Sequence, residues 1–264
     1  MKERLDVLLV RRGLIPTRKQ AKEFIESGKV AVVGCKPVKK AGTMVDEEAE
    51  ICLLEEPMAY VGRGALKLLE ALNFFQIEIA DKVCLDIGAS TGGFTDCMIS
   101  HGAKKVYAID VGHDQLAEKL KADKRVINME RTNVRYLKPE DLAEKADFAS
   151  IDTSFISLTK VLEPVSNLLS EDGTICCLIK PQYEAGRKNV GKGGIVKDLR
   201  VHKEILNSMV HFLCTIRLWP LGLIFSPIKG QEGNVEYLLY LKKEAQVRKQ
   251  IREATDEEVS YYYQ

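Results

Sequence analysis

The sequence predicts an α/β protein: a sheet of mostly parallel strands with helices on both faces, preceded by a small α+β domain. Three observations predict it. From Gly62 onward, apolar runs of strand length alternate with helical runs, a glycine-rich turn follows the first of those strands, and residues 1–40 differ in composition from the rest. Those residues hold 11 lysines and arginines against four acids, whereas the 264-residue chain has a net charge of only +1. The N-terminal segment is therefore a locally basic domain.

Residues 1–56 predict two short helices followed by three short strands. Leu5, Leu8 and Leu9 recur at helical spacing before Gly13, and Thr17 is placed to cap a second helix. The remaining features expected here are the end of that helix at Gly28, strands at Val30–Val33, Pro37–Lys39 and Glu50–Leu54, and a linker at 57–61.

Residues 62–245 predict the main domain, in which strands and helices alternate. The final two apolar runs, Cys214–Phe225 and Val235–Lys242, have no helix between them and predict an antiparallel hairpin. A charged tail is expected at 246–264. The other expected strands are Val83–Ile87, Val106–Asp110, Val126–Met129, Phe148–Asp152 and Thr174–Lys180, and the expected helices are 64–72, 94–101, 113–121, 139–144, 158–169 and 197–213.

The composition argues against a membrane or secreted protein. No run approaches the roughly 18 apolar residues of a spanning helix, and residues 1–12 lack the apolar core of a signal peptide. The seven cysteines are scattered without a Cys-x-x-Cys pair, and the four histidines do not cluster with them. These patterns predict a cytoplasmic protein with reduced cysteines and no metal site.

A glycine-rich turn after the first parallel strand predicts a ligand crevice. Asp86 ends that strand, and the turn has the spacing Asp-x-Gly-x-x-x-Gly-Gly, not the Gly-x-Gly-x-x-Gly of dinucleotide sites. Asp86 would repel a pyrophosphate, which argues against a nicotinamide dehydrogenase, but it suits a cationic or zwitterionic ligand. Asp110 ends the next strand, where an acid can accept hydrogen bonds from ribose hydroxyls. Together they favour S-adenosylmethionine (AdoMet). The alternative is a glycine turn with capping acids in another α/β protein.

Four charged residues stand out by position. Lys67 lies on the helix before the first parallel strand, Asp152 ends the fourth strand and Lys180 ends the fifth, before a proline. Glu236 lies inside a late strand. Each has an ordinary alternative: a solvated helix charge for Lys67, a lysine that reaches solvent for Lys180, and an outward edge charge for Glu236. Spacing alone does not make the four converge.

Two sets of motifs then suggest a family. The first is Arg4-Leu-Asp6, Thr17-Arg18-Lys19-Gln20-Ala21 and Ile25-x-x-Gly28-x-Val30, with Val38 and Gly42. The second is Gly62-Arg63-Gly64-x-x-Lys67-Leu68, Asp86-Ile-Gly-Ala-Ser-Thr-Gly-Gly-Phe-Thr-Asp96, Asp152-x-Ser154-Phe-Ile-Ser157-Leu, Ile179-Lys-Pro-Gln182 and Gly233-Asn-Val-Glu236. Over about residues 3–243 the chain resembles the TlyA family, which joins an S-four-type RNA-binding domain to an FtsJ-like ribose methyltransferase domain.

The resemblance implies a Rossmann-like AdoMet-dependent sheet and 2′-O-methylation of cytidine in ribosomal RNA, 16S, 23S or both. It also implies a Lys-Asp-Lys-Glu catalytic tetrad at Lys67, Asp152, Lys180 and Glu236. Cofactor contacts are expected from Asp86, Gly88, Ala89, Ser90, Gly92, Gly93, Phe94, Asp110, Asn133 and Asp152. Some family members are named haemolysins, but a membrane-active protein needs an inserting segment that this sequence lacks. A non-catalytic RNA-binding protein would have no use for the tetrad.

The chemistry of ribose methylation suits these residues. A ribose hydroxyl holds its proton tightly, and a lysine can take that proton only in its neutral form. Lys180 is therefore assigned as general base or as the stabiliser of the alkoxide, with Asp152 and Glu236 orienting the two lysines. No metal is required.

The basic N-terminal domain supplies the expected contacts to ribosomal RNA or a ribosomal subunit, because lysine and arginine neutralise phosphates. A solvated helix face is the alternative. The loop at 183–194 is either a mobile RNA clamp or a plain flexible loop. The residues expected to bind RNA are Arg4, Arg11, Arg12, Arg18, Lys19, Lys22, Lys29 and Arg63.

Overall fold

The chain divides into two compact units, Met1–Ala59 and Tyr60–Gln264. The structure is a computed structural model that describes residues 1–15, 17–33, 37–54, 60–230 and 232–243. The expected linker at 57–61 lies largely outside the described residues, and the expected tail at 246–264 lies wholly outside them.

The first unit packs two helices against two short antiparallel strand pairs. Thr17 caps the second helix as expected, since its hydroxyl accepts a hydrogen bond from the Gln20 backbone N–H at 3.2 Å. Leu5, Leu8 and Leu9 are fully buried. The elements are β1 (Lys2–Arg4), α1 (Leu5–Arg11), α2 (Arg18–Glu26), β2 (Val30–Val32), β3 (Met44–Asp46) and β4 (Ile51–Leu53), with β1 paired to β3 and β2 paired to β4.

The second unit is a seven-stranded sheet in the order β10-β11-β9-β8-β5-β6-β7. Strands β5 to β9 are parallel, and β11 runs antiparallel to both β9 and β10, which confirms the predicted fold class and the final hairpin. The elements are α3 (Ala65–Phe74), β5 (Val83–Ile87), α4 (Gly93–Ser100), β6 (Lys105–Ile109), α5 (Glu118–Lys121), β7 (Val126–Met129), β8 (Ala146–Ile151), α6 (Leu162–Leu168), β9 (Leu169–Ile179), α7 (Pro181–Glu184), α8 (Leu199–Thr215), β10 (Leu218–Phe225) and β11 (Tyr237–Lys243).

Helices cover both faces of this sheet, so each face has its own apolar core. Leu162 of α6 and Met209 of α8 belong to one core, and Leu68 of α3 and Met98 of α4 belong to the other. The strand order reverses between β5 and β8, because the chain moves outward through β6 and β7 before it returns. Ligands of open α/β sheets bind beyond the carboxyl ends of the strands at such a reversal.

Several predicted boundaries were wrong for local reasons. The helix expected at 113–121 shrinks to α5, because the N–H groups of Gln115 and Leu116 donate to Glu130 instead of to a preceding turn. The helix expected at 158–169 splits into a 3-10 turn (Leu158–Lys160) and α6, which restarts so that Pro164 falls in a first turn, where proline is tolerated. The other corrections are 139–144, which forms only the 3-10 turn Pro139–Asp141, and Pro37–Lys39, where only Val38 forms an isolated bridge, with Val30.

Among the described residues, no helix is both long and apolar enough to cross a bilayer.

Candidate active site

The four predicted tetrad residues reach one edge of the sheet by different routes. Asp152 follows β8 and Lys180 follows β9, so the parallel strands bring both to the carboxyl edge. Glu236 lies just before β11, not inside a strand as expected. Because β11 is antiparallel and Tyr237 pairs with Ile179, Glu236 lies at the same edge as Lys180. Helix α3 contributes Lys67.

The charged groups form an unbroken chain of alternating sign. Lys67 Nζ lies 2.6 Å from Glu236 Oε2 and 3.8 Å from Asp152 Oδ2, and Lys180 Nζ lies 2.5 Å from Asp152 Oδ1. Lys67, Lys180 and Glu236 are 7%, 8% and 2% exposed. Buried charges are tolerated when they are paired, and here two cations balance two anions. The structure thus brings the tetrad together; its catalytic role stays a prediction.

Asp86 is buried beside this chain and keeps one oxygen without a partner. Its Oδ2 accepts hydrogen bonds from the backbone N–H and the hydroxyl of Thr95, at 2.8 and 2.6 Å, whereas Oδ1 has no partner among the described residues. Burial raises the pKa of Asp86 to about 7; the Thr95 hydrogen bonds oppose the shift, and the charges of Asp152 and Asp110 add to it. A cationic donor from a ligand would satisfy that oxygen.

The glycine turn is tightly packed under the crevice. Gly88 has φ +87°, and a Cβ there would lie 2.6 Å from the Asp152 carbonyl oxygen. Gly92 has φ +92°, and a Cβ there would lie 2.3 Å from the Leu120 Cδ1 atom. Only glycine fits either position. The expected contact Ala89 is buried in this turn, and Gly93 begins α4.

The remaining expected cofactor residues surround this turn. Asp110 accepts hydrogen bonds from the backbone N–H groups of Ser90 and Gly112, at 2.8 and 2.7 Å, and each carboxylate oxygen keeps a further lone pair. Asn133 caps the 3-10 turn after β7. Phe94, by contrast, is 4% exposed and packs into the apolar core.

Three residues beside Lys180 were missed by the sequence reasoning as functional candidates. Lys180 Nζ donates a hydrogen bond to the Ser154 hydroxyl at 3.1 Å. Phe155 is 90% exposed, has φ +63°, and its ring centroid lies 5.3 Å from that of Tyr183. Lys180 Nζ lies 5.9 Å from the same Tyr183 ring. The available signal was a polar and aromatic Ser-Phe pair directly after a strand that ends in a charged residue.

The basic N-terminal unit uses several of its arginines to hold itself together. Arg4 and Arg18 both donate to the buried Asp6, at 2.9 and 3.1 Å, and Arg4, followed by Arg18, lowers the pKa of Asp6 against the effect of burial. Arg12 donates to the carbonyls of Glu47 and Ala49, so its predicted RNA contact competes with a structural one. Arg11 pairs with Glu3, whereas Lys19 and Lys22 are exposed on α2. Lys29 lies over the Phe24 ring, and Arg63 is exposed in the second unit.

The loop at 183–194 is partly structured. It contains α7 and a 3-10 turn (Arg187–Asn189), and the buried Asn234 holds its far end through the Gly194 carbonyl and the Val196 N–H. Arg187, Lys188 and Lys192 are exposed.

Comparison with known proteins matches both units. The FtsJ-like methyltransferase family matches residues 60–243, and the S4 domain matches residues 3–51. The chain is 43% identical to the 16S/23S rRNA (cytidine-2'-O)-methyltransferase TlyA of Mycobacterium tuberculosis, over 90% of this chain and 89% of that protein. It is 40% identical to Hemolysin A of Brachyspira hyodysenteriae, over 90% and 98%. A solved structure from Streptococcus thermophilus, described as "Putative hemolysin", superposes with a TM-score of 0.72 at 45% identity, over 92% of this chain and 88% of that one.

Proposed function

The chain belongs to the FtsJ-like methyltransferase family and carries an S4 domain, and we propose that it transfers the AdoMet methyl group to the ribose 2′-hydroxyl of a cytidine in ribosomal RNA. The observation that carries the proposal is the buried chain Glu236–Lys67–Asp152–Lys180 at the reversal of strand order. The cytidine and the ribosomal substrate are proposed from the relative in Mycobacterium tuberculosis, whose name specifies both.

The residues around the glycine turn fit AdoMet. The unpartnered oxygen of Asp86 suits the ammonium of the amino-acid tail, and Asp110 retains acceptor capacity for ribose hydroxyls. The compressed backbone at Gly88 and Gly92 leaves room above the turn for a ligand to approach. When bound, AdoMet supplies a methyl group on a sulfonium, which becomes a neutral thioether as the carbon–sulfur bond breaks.

Lys180 supports the proton transfer that this reaction needs. In its neutral form, Nζ takes the proton of the 2′-hydroxyl while the oxygen electron pair forms the new bond to the methyl carbon. Lys180 ends as an ammonium, which Asp152 stabilises at 2.5 Å until the proton passes to solvent. Lys67 holds Asp152 and Glu236 in place, so the charged chain fixes the position of Lys180.

The exposed ring of Phe155 suits the nucleobase. Single-stranded RNA is bound largely by stacking of bases on exposed aromatic side chains. Phe155 is held by its contact with Tyr183 beside Lys180, so a base stacked on it would bring its ribose to the amine.

Methyl transfer from tritiated AdoMet to separated ribosomal subunits, followed by mapping of the modified nucleotide, tests the proposal. Label in a ribose-methylated cytidine would support it. Label on a base or on protein, or no transfer to either subunit, would refute it.

AdoMet affinity is expected to depend on pH through Asp86. Its carboxyl has a pKa of about 7 in the free protein, so it becomes neutral as the pH falls and can no longer pair with the AdoMet ammonium. Affinity should therefore fall below pH 7, by up to about tenfold per pH unit. Calorimetry between about pH 5.5 and 7.5 measures this. An Asp86→Asn variant should bind more weakly and without this pH dependence; a wild-type affinity that is flat over the range would exclude Asp86 as the partner.

We further propose that residues 1–59 bind RNA phosphates through the exposed lysines of α2. Reversing both charges, Lys19→Glu with Lys22→Glu, is expected to weaken RNA binding and to reduce its salt dependence by about one logarithmic unit per lost contact, with AdoMet binding unchanged. Filter binding at several salt concentrations measures the slope. Lys124→Glu is the matched control, since it lies before β7 at the opposite edge of the sheet from the tetrad. An unchanged slope in the double variant would place the RNA contacts elsewhere.

A further inference from the structure

Ser154 is a surface residue whose hydroxyl reaches the buried amine of Lys180. The side chain belongs to an exposed residue, yet its Oγ lies 3.1 Å from Lys180 Nζ. The other group in contact with Nζ is Asp152 Oδ1, at 2.5 Å. Among the described residues, Nζ therefore has two oxygen neighbours, both from the segment that follows β8.

These two oxygens determine the direction in which the amine can act. A neutral amine has two N–H bonds and one lone pair in tetrahedral directions about nitrogen. If Asp152 and Ser154 each accept one N–H, the lone pair is left in the one remaining direction. With Asp152 alone, rotation about the Cε–Nζ bond lets an N–H and the lone pair exchange places.

We propose that Ser154 is a positioning residue that aims Lys180 at the ribose hydroxyl of the substrate. The inference rests on the proposed function, because it assumes that Lys180 is the group that acts on the hydroxyl. It holds for either role of Lys180. In the ammonium form the same remaining direction carries the third N–H, which would stabilise the alkoxide.

The segment that carries Ser154 is held by other contacts. Glu184 accepts a hydrogen bond from the Ser157 hydroxyl at 2.6 Å and another from the Leu158 N–H at 2.8 Å. The Phe155 ring packs on Tyr183. Removal of the Ser154 hydroxyl should therefore leave the segment in place and act on Lys180 alone.

The test compares Ser154→Ala, Ser154→Thr and Ser157→Ala in the full-length protein with ribosomal subunits as substrate. Ser154→Ala is expected to lower kcat about tenfold, the order expected for one hydrogen bond to an amine, with KM for RNA, AdoMet affinity and melting temperature unchanged. Ser154→Thr retains the hydroxyl and should recover most of the rate. Ser157→Ala is the matched control, since it removes a hydroxyl of the same segment that contacts Glu184 and not Lys180.

Several outcomes overturn the inference: an unchanged kcat in Ser154→Ala, an equal loss in Ser157→Ala, no recovery in Ser154→Thr, or a loss that appears in AdoMet affinity. The proposed function fails separately, if the wild-type protein does not methylate a cytidine ribose. If the wild type is active, Lys180→Ala is inactive and Ser154→Ala is fully active, then only the positioning role of Ser154 is wrong.

Discussion

Replacing Lys180 with alanine is expected to lower methyl transfer at least ~100-fold while AdoMet binding and folding persist, because general acid–base catalysis typically contributes about 10²–10⁴-fold. The variant leaves Asp152 paired with Lys67, whose Nζ lies 3.8 Å away, so no carboxylate of the charged chain is left without a cation. Single-turnover transfer to ribosomal subunits measures the rate, and calorimetry measures the AdoMet affinity.

Lys180→Arg distinguishes the two roles of this residue. Arginine keeps the positive charge but does not give up its proton near neutral pH. An inactive arginine variant therefore supports the general base, and substantial activity supports stabilisation of the alkoxide. Lys243→Ala is the matched control: this half-buried lysine donates to the Leu169 carbonyl at the other end of the sheet, and the variant should retain the wild-type rate. A Lys180→Ala rate within about tenfold of wild type contradicts both roles.

The sheet of the second unit was predictable because its signals are local. The apolar run Val83–Ile87 and the glycine turn after it are visible within a dozen residues, and both occur as predicted. Strands β1 and β3 were missed, since each has only three residues and shows no alternation long enough to recognise. They form by pairing across 40 residues of chain, which a local pattern does not encode.

The geometry of the candidate site was predictable only in part. Strand ends gave Asp152 and Lys180, because parallel strands share a carboxyl edge. Glu236 joins them through the register of β11 on β9, and Lys67 is separated from Glu236 by 169 residues of sequence. Without the resemblance to a family, nothing in the spacing pairs those two. The contacts of Arg4 and Arg18 with Asp6 were missed for the same reason: net charge predicts a basic surface but not which cations have intramolecular partners.

Breaking the Lys67–Glu236 pair is expected to be the most destabilising change in the site. Their 2.6 Å contact is buried, and removing one partner leaves an uncompensated charge, which typically costs about 3–5 kcal/mol. Glu236 has little freedom to move, since a Cβ at Gly230 would lie only 2.5 Å from its Oε1 atom. Lys67→Met should therefore lower the free energy of unfolding by about that amount, as measured by urea denaturation.

The double variant Lys67→Met with Glu236→Leu separates stability from activity. It removes one cation and one anion together, so Asp152 and Lys180 still balance each other. Replacing a buried ion pair by apolar residues of similar volume is often neutral for stability or stabilising. The double variant should thus unfold near the wild-type urea concentration and yet transfer methyl groups at least ~100-fold more slowly, because Lys180 has lost the charged groups that fix its position. A double variant as unstable as Lys67→Met would show that the two residues do not act as a pair. A stable double variant with wild-type activity would remove Lys67 and Glu236 from the catalytic machinery.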